Sequence, residues 1–195
     1  MPLLYDFFAR NVDSVAKELL GKKIVRKLNE TTLTAMIVET EAYGGYDDSA
    51  SHASKKRTPR NIVMFGPAGI AYVYLIYGMH YMFNIVSGYN GEASAVLIRA
   101  VEPLQGQAHM ENLRGKNKHN LSNGPARLCQ ALAINKTFNC WNLLARDILW
   151  LEDYQSIPNT LIATGPRIGI NYATLADQQA LRRFWIKNNK HVSRE

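Results

Sequence analysis

The chain has 195 residues, 47% of them apolar and 20% charged, with 13 glycines and 7 prolines. That balance belongs to a globular protein and excludes wholesale disorder, collagen-like repeats and coiled coils. Lys plus Arg number 23 against 16 Asp plus Glu, a net charge of +7, which favours a polyanionic partner or an anionic membrane surface. One domain over residues 1–195 is expected, since a chain this long buries about 70% of its unfolded surface without disulfides or structural metal.

Residues 1–20 lack a basic leader and are interrupted by Asp6, Arg10 and Asp13, so no secretory signal is read there. Cys129 and Cys140 form neither a CxxC nor a metal-ligand spacing, and a reducing, intracellular setting is expected. Residues 61–91 contain no Asp, Glu, Lys or Arg. Gly66, Pro67, Gly69, Gly78, His80 and Asn84 interrupt that run and its tyrosines are spread through it, which predicts a buried sheet rather than a membrane span.

In chain order, residues 13–20 read as a helix capped by Asp13 and ended by Gly21. Strands follow at 23–28 and 34–43, joined by the polar turn 29–32. The polar loop 44–59 is long enough to suggest function. Residues 71–76 and 81–87 read as a hairpin with Tyr77-Gly78-Met79-His80 at its tip, and 95–101 as a third apolar strand. Helices are expected at 104–113 and at 125–134, the second with Asn123 as cap and Pro125 in its first turn. Short strands are expected at 147–151, 167–170 and 183–187. The pattern is α+β: one domain with a mixed, mostly antiparallel curved sheet, flanking helices and a protruding hairpin. It has neither the βαβ alternation nor the glycine-rich loop of a nucleotide-cofactor fold.

Several residues could carry chemistry. In TAMIVETEAY, alternation sets Ala35, Ile37, Glu39 and Glu41 on one face. Two carboxylates on an apolar face need partners, so they are either structural ion pairs or a general base at a strand end. Arg99 shares a face with Leu97 and Val101 and needs a carboxylate; Glu39 or Glu41 would serve. Tyr43, Tyr72, Tyr74, Tyr77 and Tyr81 form either core or a slot that stacks a flat ring. Tyr77 at a hairpin tip suggests a wedge between base steps. His52 could be an acid/base, a ligand or a plain loop histidine. The five histidines, His52, His80, His109, His119 and His191, show no metal-binding spacing, and neither metal nor cofactor is expected. Basic runs at 55–60, 114–127 and 182–190 point to nucleic acid.

The segments LLGKKIVR, VETEAYGGYDDSASH, TPRNIVMFGPAGIAYVYLIYGMHYMFNIVS, AVLIRAVEP, NGPARLCQALAIN and RIGI, in this order, resemble the alkyladenine (3-methyladenine) DNA glycosylases of the non-helix-hairpin-helix type. The resemblance spans roughly residues 13–187. It implies a monofunctional repair enzyme that flips a damaged purine from duplex DNA and hydrolyses its N-glycosidic bond. Glu41 matches the carboxylate that activates water, Arg99 the arginine that helps hold that water, and Ile170 a position whose carbonyl assists. Tyr43, His52 and Tyr74 match the lining of the base pocket, and Asn84 an asparagine that disfavours guanine. Tyr77, with Met79 beside it, matches the tyrosine that fills the gap in the duplex. Arg127, where many relatives carry lysine, matches a phosphate contact. The implied partner is double-stranded DNA with a damaged purine, bound by a monomer, with no membrane. A binding module without chemistry and a hydrolase of free nucleosides are the competing classes; intact Glu41 and Arg99 speak against the first, and a tip tyrosine on a basic protein against the second.

Overall fold

The computed structural model describes residues 1–89, 91–115 and 120–193. Its sheet grows from a hairpin in which β1 (Lys23–Leu28) and β2 (Thr31–Tyr43) pair antiparallel, Leu28 opposite Thr31. The connection is thus Asn29-Glu30, shorter than the four-residue turn expected. Asn29 adopts the positive φ (53°) that tight hairpin turns favour, and the threonines extend β2 instead of bending it.

β3 (Ala71–Ile76), β4 (His80–Ser87), β5 (Ser94–Gln105) and β6 (Leu149–Glu152) complete the order β3-β4-β5-β2-β1-β6, with every neighbouring pair antiparallel. β7 (Ile162–Gly165) joins through β8 (Arg183–Ile186), whose residues 183–185 pair with residues 39–41 of β2. One edge of β2 therefore meets β5, while the other meets first β1 and then β8. Residues 33–42 are all buried as a result. Glu39 and Glu41 are carried into the core by the strand that everything else packs around.

The helices are short: α1 (Tyr5–Phe8), α2 (Val12–Glu18), α3 (Gln107–Arg114), α4 (Pro125–Ala131) and α5 (Leu175–Gln179). Val15, Ala16 and Leu19 bury the apolar stripe of α2 and its following turn in the main core, and Thr40 Oγ1 donates to the Ala16 carbonyl at 2.7 Å. Local sequence cues place several boundaries differently. The cap of α2 is Asn11, which accepts from the N–H groups of Asp13 and Ser14, so Asp13 instead pairs with Arg182. Leu104 and Gln105 continue β5 until Gly106 (φ 78°) breaks the strand, and α3 begins only at Gln107. Pro125 does open α4, but the cap position is Gly124; the Asn123 side chain accepts from Arg127. Residues 167–170 form no strand. Gly169, at φ +81°, turns the backbone away from an extended ladder, and the partner of β8 is β7.

The uncharged run 61–91 becomes the 3-10 turn Ile62–Phe65 followed by β3 and β4, a hairpin with Tyr72, Val73, Met82, Phe83, Ile85 and Val86 buried. No helix among the described residues is long and apolar enough to cross a membrane. The fold is α+β, a single antiparallel curled sheet with small helices and a projecting hairpin, as the sequence suggested.

Candidate active site

At the tip of the β3–β4 hairpin, Met79 N–H donates to the Ile76 carbonyl at 3.1 Å, closing a turn around Tyr77 (φ 50°) and Gly78 (φ 69°). Two consecutive positive φ values suit a tight hairpin whose twist matches its strands. Gly78 tolerates this freely, whereas a bulky Tyr77 is strained there. Tyr77 is 87% exposed and Met79 66%, so the turn presents two apolar side chains to solvent.

Below the tip lies a cleft of about 490 Å³, within the range of small-ligand sites. Tyr43, His52, Tyr74, Tyr77, Asn84, Arg99 and Ile170 all line it, so seven residues scattered from 43 to 170 converge. The His52 and Tyr74 rings meet edge to face at 4.7 Å, and Tyr72 and Tyr74 are tilted at 5.1 Å. His52 Nδ1 lies 2.9 Å from the Tyr72 hydroxyl. Burial, aided by the Arg60 charge, pushes His52 down to about 4, so the ring is neutral at ordinary pH. Burial likewise raises the Tyr72 phenol to about 12 and lifts Tyr74 further. Asn84 is buried and donates its amide to the Tyr72 carbonyl at 3.1 Å.

Glu41 is fully enclosed and does not itself line the cleft, but its three partners do. Its Oε1 accepts from the Ile168 backbone N–H at 2.7 Å and faces Arg99 Nη1 at 3.2 Å, while Tyr43 donates its hydroxyl to Oε2 at 2.8 Å. Desolvation, and then the Glu41 charge, keeps Tyr43 firmly protonated and therefore a donor. Burial disfavours the Arg99 charge, yet Glu41 and Glu39 outweigh it and hold the guanidinium above its ordinary value. Arg99 thus reaches both carboxylates, not one of them as anticipated, because Nε also bonds Glu39 at 3.1 Å. The Ile170 carbonyl accepts from Ala173 N–H at 2.9 Å.

The basic runs separate into different roles. Lys55, Lys56, Arg57 and Arg60 are exposed beside the cleft; Arg57 covers the Phe65 ring and Arg60 the Tyr74 ring, at 5.1 and 5.0 Å. Arg127 is exposed on α4, two residues from Pro125, which lines the cleft. Lys116, Lys118 and His119 lie outside the described residues. The third run is a cationic surface only in part: Lys187 and Lys190 are exposed, but its two arginines are paired with carboxylates. Arg182 pairs with Asp13 and Asp48, and Arg183 is buried against Glu39. Among the described residues no three His, Cys, Asp or Glu side chains gather into a metal-sized group.

Two contributors, Ile168 and Arg167, lie in the RIGI segment but had no role assigned from the sequence. Ile168 acts through its backbone N–H, which composition cannot reveal. Behind it, Arg167 donates both Nη1 and Nη2 to buried Asp48 and lies 4.9 Å from the Tyr43 ring centroid, fixing the segment 166–170 from behind. Tyr172 closes one side, its hydroxyl donating to the Ala50 carbonyl at 2.9 Å.

Residues 6–190 match the Methylpurine-DNA glycosylase (MPG) family. The chain is 46% identical to a protein of Carboxydothermus hydrogenoformans provisionally named 3-methyladenine DNA glycosylase, with the whole of both chains covered. A relative of the same name from Clostridium perfringens is 45% identical over the whole of both chains. Another, from Methanocella arvoryzae, is 45% identical over all of this chain and 97% of its own. With the family match covering nearly the whole chain, this protein belongs to the methylpurine-DNA glycosylase family of DNA repair enzymes.

Proposed function

We propose that this glycosylase, acting as one unit over residues 1–195 and as an intracellular monomer, draws a damaged purine nucleotide out of duplex DNA. The base enters the slot between Tyr43, His52 and Tyr74, and Tyr77 takes its place in the stack. Taking a base out of the helix costs a few kcal/mol, which stacking in an aromatic slot and a plug in the gap offset. The basic rim of residues 55–60 and Arg127 meets the phosphates, which position without reading sequence.

The observation that carries this reading is the surrounding of Glu41. A carboxylate offers about four acceptor positions. Ile168, Arg99 and Tyr43 take three of them, leaving one on Oε2 for a water. In the proposed step that water attacks C1′ while the C1′–N bond breaks, the base leaves with the bonding electron pair, and Glu41 takes the water's proton. Positive charge developing on the sugar is stabilised by the same carboxylate. Arg99 holds Glu41 in place and balances its charge. The Ile170 carbonyl keeps a second lone pair beside the one that accepts from Ala173 N–H. Asn84, buried in the slot wall, works against guanine through that base's exocyclic amino group. No lysine lines the cleft among the described residues, so the proposal ends at base release, with the strand left intact.

The test is single-turnover release of hypoxanthine, ethenoadenine or a methylated purine from a duplex carrying one lesion, with the strand then examined before and after hot alkali. Release followed by alkali-dependent cleavage supports the reading. Strand cleavage without alkali would contradict the monofunctional step, and silence on every lesion would contradict the hydrolysis.

A further inference from the structure

Glu41 is not the only carboxylate sealed inside the sheet. Glu39, two residues earlier on β2, is equally enclosed, does not line the cleft, and has no task in the reaction proposed above. Burying a charge is costly unless partners satisfy it. Here four donors converge. Oε1 accepts from Arg99 Nε (3.1 Å), Arg183 Nη1 (3.1 Å) and Ser193 Oγ (3.0 Å), and Oε2 from the Ser193 backbone N–H (2.7 Å).

Arg183 and Ser193 alone would make a structural tie between β2, β8 and residue 193. The contact with Arg99 adds something that such a tie does not need. A guanidinium is a rigid planar fork, so fixing Nε fixes where the two Nη groups point. With Nε on Glu39, Nη1 lies 3.2 Å from Glu41 Oε1. The ladder between β2 and β5 loses register on both sides of Glu39, where Glu39 faces Ala100, and recovers with Thr40 opposite Ile98. Such irregularities re-aim side chains, and this one sits beside the arginine that both carboxylates share.

We propose that Glu39 is a positioning residue for the hydrolytic site: it sets the plane of the Arg99 guanidinium against Glu41, and Ser193 holds Glu39 in turn. This role rests on the assignment of Glu41 and Arg99 under the proposed function. Glu39 lies outside the cleft lining and works only through Arg99, which makes it separable from a purely structural residue.

The experiment is a double-mutant cycle on the full chain, read as single-turnover base release and, separately, as binding to lesion-bearing duplex. Glu39→Gln slows release by roughly tenfold or more, the worth of a charge-assisted hydrogen bond, with duplex binding unchanged. In an Arg99→Gln background the same change costs less than about twofold. Losses that multiply in the double variant would reduce Glu39 to a structural tie. Should Glu39→Gln fail to fold, Ser193→Ala decides, since it leaves every ion pair in place. A several-fold loss of rate that disappears on Arg99→Gln supports the role, and an unaltered rate overturns it. The underlying site reading fails separately, and takes this role with it, if Arg99→Gln alone releases base at the wild-type rate.

Discussion

The Glu41 carboxylate accepts a 2.7 Å hydrogen bond from the backbone N–H of Ile168, across 127 residues of chain. The end of β2 is thereby joined to an irregular segment that Gly169 bends, and the cleft is closed from both sides. Glutamine at 41 keeps an oxygen for Ile168 and for Arg99 but cannot take a proton from water. Glu41→Gln is expected to lower single-turnover release by at least about a hundredfold, the ordinary contribution of a general base. Binding to damaged duplex, followed by titration, is expected to stay near wild type; a parallel loss of binding would mark Glu41 as a structural tie.

Tyr77 sits in a left-handed conformation that costs an L residue about 1–2 kcal/mol. It is 87% exposed, so the strain is not repaid by burial. Tyr77→Gly relieves that strain while adding freedom to the unfolded chain, and its melting temperature is expected to lie within the equivalent of about 1 kcal/mol of wild type. Capture of an extruded base, read by the fluorescence of 2-aminopurine placed beside the lesion, is expected to fall by roughly tenfold, since one aromatic stacking contact is worth about 1–3 kcal/mol. Unchanged capture would remove the wedge from the mechanism.

Asp48 is buried and accepts from Arg167, Arg182 and the N–H groups of Gly44 and Ala50. Asp48→Asn leaves the Arg167 guanidinium buried with too few acceptors. Breaking a buried pair from one side costs about 3–5 kcal/mol. Chemical denaturation is expected to show a loss of that order, and base release is expected to fall with it, because Arg167 supports Tyr43 and the segment bearing Ile168.

Local patterning made much of this legible. Apolar patterning located the strands at 23–28 and 71–76 and overran the last, read at 183–187, by one residue, and Tyr77-Gly78 marked a tip that is indeed exposed. Of the residues that the resemblance names, Tyr43, His52, Tyr74, Tyr77, Asn84, Arg99 and Ile170 line one cleft, whereas Glu41, Met79 and Arg127 do not. What escaped depends on distance or on backbone atoms. Nothing local to Asp48 names Arg167 as its partner 119 residues away, and nothing in Ile168 advertises its N–H. Arg182 and Arg183 looked like part of a cationic face for the same reason: their carboxylate partners, Asp13, Asp48 and Glu39, come from other elements.

That distinction can be measured through salt. Duplex binding is expected to weaken steeply as salt rises, through release of counterions from phosphates. Arg57→Ala, at the exposed rim, is expected to lower the slope of log K against log salt by about 1. Arg182→Ala, whose guanidinium is already paired with Asp13 and Asp48, is expected to leave the slope unchanged while lowering stability. Equal slopes for both variants would return Arg182 to the DNA-facing surface.

His52 gives a pH dependence of defined sign. Burial, reinforced by Arg60, places its folded-state pKa at about 4, against 6.5 for an unperturbed ring. Between those values the unfolded chain binds the proton and the folded one does not, so stability falls as pH drops from 6.5 towards 4. The slope is at most about 1.4 kcal/mol per pH unit for one such group. His191, also lowered by burial, adds in the same direction, and carboxylates add at the acid end. Denaturation of wild type and of His52→Gln at pH 7.0, 5.5 and 4.5 isolates the His52 share, because every other group is common to both. The variant loses the contact with the Tyr72 hydroxyl at all three values, a constant offset. On top of it, the stability advantage of wild type is expected to shrink steadily below pH 6.5. An advantage that holds constant down to pH 4.5 would mean that the ring takes up its proton inside the folded slot, and a neutral His52 would then have to be dropped from the account of how the slot receives a base.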